Sequence, residues 1–330
     1  MPINRYDKPD SHNLTRSSFV TAGFFHAQFD LDSTMTNQHP GARLRALMKT
    51  GTVSAPGAFN ALIGRAVAQA GFDACYVSGG ATSVAAGVPD VGLLGLEHFT
   101  RLIREVADAS QLPVLADADT GFGEEEMVRR TVIEYHRAGA AGLHIEDQVF
   151  PKRCGHLDGK KLIPIEQAQS RIEWATKASV DCSDYEFIIC ARTDAAGVEG
   201  FDAALDRARA YVDAGAAMIF PEGLHSEDEF ARFAERFRAD APYTLLLANM
   251  TEFGKTPMIS LDRFAEMGYN IVIYPVTMLR VAMGAVTQAL AELKETGSPE
   301  VLLERMQTRQ ELYDLVGYTP GTPFEVHARP

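Results

Sequence analysis

From about residue 51 the chain alternates short apolar runs with longer stretches in which apolar residues return every three to four positions, with polar or glycine-rich turns between them. A short apolar run bounded by turn signals reads as a strand, and the longer period as an amphipathic helix packed on it. The strands predicted in this way are Val53–Ala55, Ala74–Val77, Val114–Ala116, Gly142–Ile145, Phe187–Ala191, Met218–Phe220, Thr244–Ala248 and Ile271–Tyr274. Helices are predicted between them, for instance over Glu124–Ala138, Glu166–Lys177, Asp202–Ala214 and Glu227–Phe237. Eight βα repeats favour a closed (β/α)8 TIM-type barrel over an open doubly wound sheet. The junctions Ala70-Gly71-Phe72, Ala138-Gly139-Ala140, Ala214-Gly215-Ala216 and Met267-Gly268-Tyr269 each place a glycine where a helix should stop, in the left-handed conformation that glycine adopts with least strain. Two further helices, Met278–Glu295 and Val301–Val316, are joined at Gly297-Ser298-Pro299, and the tail beyond Tyr318 is rich in proline and glycine. The chain thus divides into an N-terminal arm (1–40), a barrel (41–295) and a C-terminal helix and tail (296–330).

Composition narrows the class. A length of 330 residues suits one barrel with extra helices at its ends, and 46% hydrophobic with 23% charged residues is ordinary for a globular enzyme. The net charge of −13 works against binding nucleic acid or an anionic membrane, so an anionic ligand must meet locally placed cations. Cys75, Cys154, Cys182 and Cys190 lack paired spacing, which suggests neither a zinc site nor a disulfide framework and fits a reducing cytoplasm. No run approaches the roughly 18 apolar residues of a membrane span. The first forty residues mix acidic with basic side chains, unlike a secretory or transit peptide, and read as an arm that reaches other subunits.

The carboxyl ends of the strands differ from the rest: Ser78-Gly79-Gly80, Asp117 with Asp119, Glu146-Asp147, Arg192 with Asp194, Glu222, and Asn249 with Thr251. In a parallel barrel these ends form one mouth, so residues far apart in sequence converge on one pocket. Any one of them could merely cap the next helix. The set as a whole, with hydroxyl, carboxylate, guanidinium and amide together, reads as a site that orders a multiply charged ligand. Asp117 and Asp119 flank Ala118 at a strand end, where residues two apart project to the same side. Two close carboxylates repel, and either a proton or a cation relieves them; hard oxygen ligands without His or Cys suit magnesium or manganese. The competing reading makes Asp119 the N-cap of the helix that begins near Glu124.

The polar loop Lys152-Arg153-Cys154-Gly155-His156 follows the fourth strand and runs to Lys161. Neighbouring cations lower a thiol pKa from its usual value of about 8.5, so Cys154 is a candidate acid–base or nucleophilic group. Cys75 and Cys190, inside strands, read as small buried hydrophobes. Gly155 allows the backbone close to a ligand, and the loop can close over the site.

At these residues the chain resembles the isocitrate lyase and phosphoenolpyruvate mutase superfamily. The resemblance rests on Gly142-Leu143-His144-Ile145-Glu146-Asp147-Gln148 leading to Lys152–His156, with Asp117-Ala118-Asp119, and runs from about Pro40 to Tyr318. Ala191–Asp194, Phe220-Pro221-Glu222, Asn249–Gly254 and Met306–Arg309 are similar to members that cleave 2-methylisocitrate. The departures are Ala81, where a third glycine is common, a stretch from Ser78 to Asp90 about one residue short of the family pattern, and Phe150-Pro151 in place of small residues. The resemblance implies a barrel, a homotetramer that exchanges C-terminal helices, and a magnesium ion, or manganese, held by Asp117 and Asp119 directly or through water with support from Glu146. It implies that Ser78, Gly79 and Gly80 hold the pyruvate-forming end of a tricarboxylate substrate beside Arg192 and Glu222. Asn249, Met250, Thr251, Gly155 and Arg280 would engage the remaining carboxylates, with Arg309 reaching across to complete a neighbour's pocket. Cys154 would be the general acid, Tyr76 would receive the hydroxyl proton, and His156 would help Arg192 and Arg280 to stabilise the charged product.

The reaction expected is retro-aldol-type cleavage to pyruvate and succinate. Isocitrate lyase is the nearest alternative within the family, because one methyl group is worth only about 1–3 kcal/mol of discrimination. Dimethylmalate lyase and oxaloacetate hydrolase are further ones. A silent dicarboxylate-binding barrel is the reading from another class, against which stands the presence of Cys154, Asp117 and Asp119 together.

Overall fold

The computed structural model describes residues 38–153, 155, 159–254 and 256–324. Cys154 and His156 lie outside the described residues, as does most of the N-terminal arm. Helix α1 (Pro40–Thr50) comes first, with proline in its first turn and the His39 ring nitrogen accepting the Gly41 N–H at 3.0 Å. Eight strands follow: β1 (Val53–Pro56), β2 (Cys75–Val77), β3 (Val114–Asp117), β4 (Gly142–Glu146), β5 (Ile188–Thr193), β6 (Met218–Pro221), β7 (Leu245–Asn249) and β8 (Ile271–Tyr274). Between them lie α2 (Ala61–Gln69), α3 (Gly79–Ala85), α4 (Leu96–Ser110), α5 (Glu125–Ala138), α6 (Ile165–Ser183), α7 (Phe201–Asp213), α8 (Glu227–Asp240) and α9 (Leu261–Glu266). The parallel strands pair in the order β1-β8-β7-β6-β5-β4-β3-β2, and a bridge between Gly57 and Tyr76 joins the two ends of the sheet. This is the (β/α)8 barrel expected from the repeat. The predicted glycines Gly71, Gly139, Gly215 and Gly268 all take positive φ, between 85° and 98°, at helix ends.

Strand alternation sorts the core into two apolar layers. Inside the barrel, Val53, Ala55, Leu115, Ile188, Cys190, Met218, Phe220, Leu247, Ile271 and Ile273 pack with Leu44 and Met48 of α1, which plugs the amino-terminal end. That plug requires a glycine: a Cβ on Gly41 would lie 2.1 Å from the Glu186 carbonyl oxygen. Outside, the other strand faces meet the helices through residues such as Phe99, Val132, Ile172, Phe187, Phe233 and Phe237.

Several strands run one or two residues further toward the mouth than hydrophobicity indicates, because Asp117, Glu146, Arg192, Thr193 and Asn249 remain in the ladder although they are polar. The second C-terminal helix needs a larger correction. A 3-10 turn over Pro299–Arg305 ends in extended backbone at Met306, and α11 (Arg309–Val316) starts afresh from a capping box made by Thr308 and Glu311. A local cap satisfies free backbone N–H groups better than continuing the helix would. Helix α10 (Thr277–Thr296) buries only Leu279 and leaves Val281, Met283, Val286 and Leu290 exposed.

Candidate active site

The period of two that fills the barrel with apolar residues also lifts one polar layer above them. Asp117, Glu146, Arg192, Glu222 and Asn249 are all buried at the carboxyl ends of successive strands. Beneath them is an aromatic floor. The Tyr76 and His144 rings stack with centroids 5.9 Å apart, His144 meets Phe220 edge-on at 5.3 Å, and the Arg192 guanidinium lies 5.2 Å from the Phe220 ring centre.

On one side of the mouth carboxylates gather. The chain turns sharply after β3, so Asp119 sits at φ 46°, not in extended backbone, and its N–H donates to Asp117 Oδ1 at 2.9 Å. The two acids are neighbours because of that turn, which replaces the strand spacing argued from sequence. Asp119 does not cap α5, whose N-cap is Glu124. Gly79 N–H donates to Asp117 Oδ2 at 3.1 Å, and a Cβ on Gly79 would stand 2.6 Å from that oxygen. The buried Lys152 ammonium lies 2.7 Å from Asp119 Oδ1 and 2.5 Å from Asp90 Oδ1. Burial and the charge of Asp117 push Asp119 up to about 6. Burial would raise Asp117 too, but His144, Lys152 and Arg192 outweigh it and hold this carboxyl below its usual range. Glu146 is raised well above the usual range, chiefly by burial, and neither of its carboxylate oxygens accepts a hydrogen bond.

Arg192 organises the other side. Its Nε and Nη2 donate to the two oxygens of Asp194 at 3.0 and 3.1 Å, and it lies 3.2 Å from Glu146 and 3.8 Å from Glu222. Asn249 donates to Glu222 Oε2 at 3.0 Å. Gly155, from the loop after β4, rests on this cluster, since a Cβ there would fall 2.4 Å from Arg192 Nη2 and 2.5 Å from Glu222 Cγ. The loop has a zipped stem: Gln148 bridges to Leu162, Val149 N–H donates to Lys161 O at 2.8 Å, and the Gln148 side chain holds both backbone groups of Arg153.

Of the residues singled out from sequence, Ser78, Gly79, Gly80, Asp117, Asp119, Glu146, Gly155, Arg192, Glu222, Asn249 and Thr251 stand at the mouth. Tyr76 is in the floor below, donating to or accepting from His144 Nε2 at 2.7 Å. Ser78 has a second duty, as the N-cap of α3 through the Ala81 N–H. Two expectations need correcting. The Met250 side chain belongs to the outer core, where its sulfur accepts the Ile259 N–H, because it alternates with the inward Asn249. Arg280 is turned to the rim loop, paired with Glu252 at 2.9 Å and stacked on Phe253. Arg309 is exposed on α11, which packs beside α2. Sequence reasoning gave no role to His144 or Lys160, and read Lys152 only as a cation beside Cys154 and Asp90 only as the end of a shortened stretch. For His144 the signal was available, because it precedes Glu146 by two residues in the same strand.

The donor set fits a hard divalent cation. Among the described residues, carboxylates from Asp90, Asp117, Asp119 and Glu146 outnumber the cations they face, Glu146 accepts no hydrogen bond, and the nearest imidazole, His144, lies 3.6 Å from Asp117 Oδ1. Among the described residues no three His, Cys, Asp or Glu side chains close around one point. Among them, too, no helix is long and apolar enough to cross a membrane.

Comparison with known proteins agrees with this geometry. The sequence model of the phosphoenolpyruvate phosphomutase family matches residues 44–294. The probable 2-methylisocitrate lyase 1 of Corynebacterium glutamicum is 54% identical over 272 residues, which cover 82% of this chain and 87% of that protein. The crystal structure of 2,3-dimethylmalate lyase, a PEP mutase/isocitrate lyase superfamily member, matches with a TM-score of 0.78 at 36% identity, covering 85% of this chain and 92% of that one. Phosphonopyruvate hydrolase in complex with oxalate and Mg2+ matches with a TM-score of 0.75 at 29% identity, covering 85% and 95%. A buried acid pair, a glycine loop seated on a buried arginine and a relative identical at over half its aligned positions lead to one assignment: the chain belongs to the PEP mutase/isocitrate lyase superfamily and, within it, to the 2-methylisocitrate lyases.

Proposed function

We propose that the protein cleaves 2-methylisocitrate to pyruvate and succinate with magnesium, or manganese, held by Asp117 and Asp119 and supported by Glu146. The observation that carries this reading is the division of the mouth into an acid pair on one side and Arg192, fixed by three carboxylates, on the other. A hydroxy acid needs a cation at its hydroxyl and adjacent carboxylate, and a separate guanidinium for the charge that develops when the carbon–carbon bond breaks. When bound, the ion would make the substrate hydroxyl more acidic. Tyr76 is placed to relay that proton, since its hydroxyl lies 2.7 Å from His144 Nε2; burial lowers His144 to about 4, so the ring would hold a proton only in passing. Burial and Asp117 raise the Tyr76 pKa well above its usual value, so a lasting phenolate is disfavoured. Gly79 and Gly80 leave space for the pyruvate-forming end. The electron pair of the broken bond stays on the succinate carbon, where Cys154 would supply the proton while the loop excludes water. Asn249, Thr251 and Gly155 line the remaining carboxylate positions, with His156 as a further cation.

We also place the protein in the cytoplasm as a homotetramer. Support for assembly comes from the exposed apolar face of α10. The barrel, the arm before it and the helix and tail after it are the units on which that assembly would rest.

The test is turnover of purified protein on 2-methylisocitrate and on isocitrate, with magnesium and after exhaustive chelation. Pyruvate from the methylated substrate, lost on chelation and restored by magnesium, is expected. Faster release of glyoxylate from isocitrate, or indifference to chelation, would overturn the assignment.

A further inference from the structure

Lys160 has no part in the reaction scheme above, yet it joins the two halves of the site. It follows the catalytic loop, its side chain is only 4% exposed, and its ammonium reaches the Gly155 carbonyl oxygen at 2.6 Å and Asp194 Oδ1 at 2.8 Å. Asp194 is the carboxylate that also holds Arg192 through two hydrogen bonds. One acid therefore serves two cations, one facing the pocket and one reaching back to the loop. Asp194 is itself fixed, because its N–H donates to Asp147 Oδ1 at 3.0 Å, and Asp147 accepts from Thr193 and Tyr211, each at 2.8 Å. An ammonium carries three donors without a planar fork, so it can satisfy a carbonyl and a carboxylate lying in different directions. The tie sets how closely Gly155 approaches Arg192, and the available gap is already too small for a methyl group.

We propose that Lys160 is a positioning residue: by binding the Gly155 carbonyl to Asp194 it seats Gly155 against Arg192 and Glu222, the packing on which turnover depends. The proposal rests on the lyase reading for its kinetic consequence and on geometry alone for its structural one. If the loop lifts, the Gly155 oxygen leaves the ammonium while Asp194 keeps Arg192 in place. Lys160 therefore favours the seated loop without being needed to hold the strand ends.

The experiment compares wild-type, Lys160→Met and Lys160→Arg full-length proteins, loaded with magnesium, by steady-state kinetics on 2-methylisocitrate, thermal melting and amide hydrogen exchange. Displacing a reacting group by about 1 Å costs on the order of 100-fold in rate. The Met variant should lose kcat on that scale with a much smaller change in KM, an unchanged melting temperature and faster exchange across 149–161, and the Arg variant should recover part of both kcat and protection. Wild-type kcat together with wild-type exchange in the Met variant overturns the proposal. So does an equal loss in both variants accompanied by a lower melting temperature, which would make Lys160 a structural prop. If the wild type itself releases no pyruvate, the lyase reading fails, and the exchange comparison still decides whether Lys160 seats the loop.

Discussion

At Gly155 the lack of a side chain is a requirement of the packing. A methyl group there would meet the Glu222 side chain at its Cγ, and Glu222 cannot swing aside freely because Asn249 and the Gly223 N–H hold its carboxylate. The loop would have to move instead, and Gly155→Ala should lower kcat by about 100-fold while the melting temperature stays near the wild-type value. Wild-type turnover would show that the loop has slack. Gly155, Asp117, Asp119 and Arg192 were legible in sequence because each ends a strand or sits beside a reactive residue type. The carboxylate partners of Lys152 and Lys160 were not. A lysine near a loop looks solvated until the fold supplies its partners, here Asp90 and Asp119 for one and Asp194 for the other. Met250 and Arg280 failed in the opposite sense: adjacency to Asn249 and a cationic side chain suggested pocket roles, whereas strand alternation and Glu252 direct them elsewhere.

Helix α1 is tied at its start by a pair of imidazoles. His39 Nε2 lies 3.0 Å from His136 Nδ1, the rings stack at 5.1 Å, and the other His39 nitrogen caps the helix. Burial, then the charges of His136 and Arg45, lower His39 to about 4 from an ordinary 6.5. The folded protein therefore binds fewer protons than the unfolded chain between those values. Stability from this pair is complete above about pH 6.5, declines as pH falls, and is gone below about pH 4. In His39→Asn the cap remains, since asparagine also accepts at an N-cap, but the titration is removed. Its melting temperature should fall less than that of the wild type between pH 6.5 and 4, and parallel curves would remove the pair from the acid response. Hydrophobic periodicity revealed the eight strands and most of the helices, because each buries one consistent face. It did not reveal α1, whose partner is the barrel end, or the break before α11, where a cap of two side chains decides the outcome.

On the scale of the whole molecule, α10 is long and apolar on a side that its own barrel leaves bare. Substituting Leu290 by glutamate places a charge in that face without touching the mouth. Under the proposed assembly, Leu290→Glu should dissociate the oligomer, seen as a lower mass by light scattering, and should reduce kcat because Arg309 would no longer reach a neighbour's pocket. An unchanged mass with full turnover would mean that each barrel works alone. The barrel was readable from its count of repeats, whereas assembly was readable only by resemblance, since an exposed apolar stripe does not name its partner.

The cylinder has one loose joint. Seven strand pairs share ladders, whereas β1 and β2 meet at the Gly57–Tyr76 bridge, where the Ala58 N–H donates to the Tyr76 carbonyl at 2.8 Å. Breathing of the wall should concentrate at that stave, and the residue that fastens it is the one whose phenol forms part of the floor beneath the mouth. Heat would then disturb proton movement before it loosened the rest of the wall, so activity should fade on warming ahead of any loss of secondary structure.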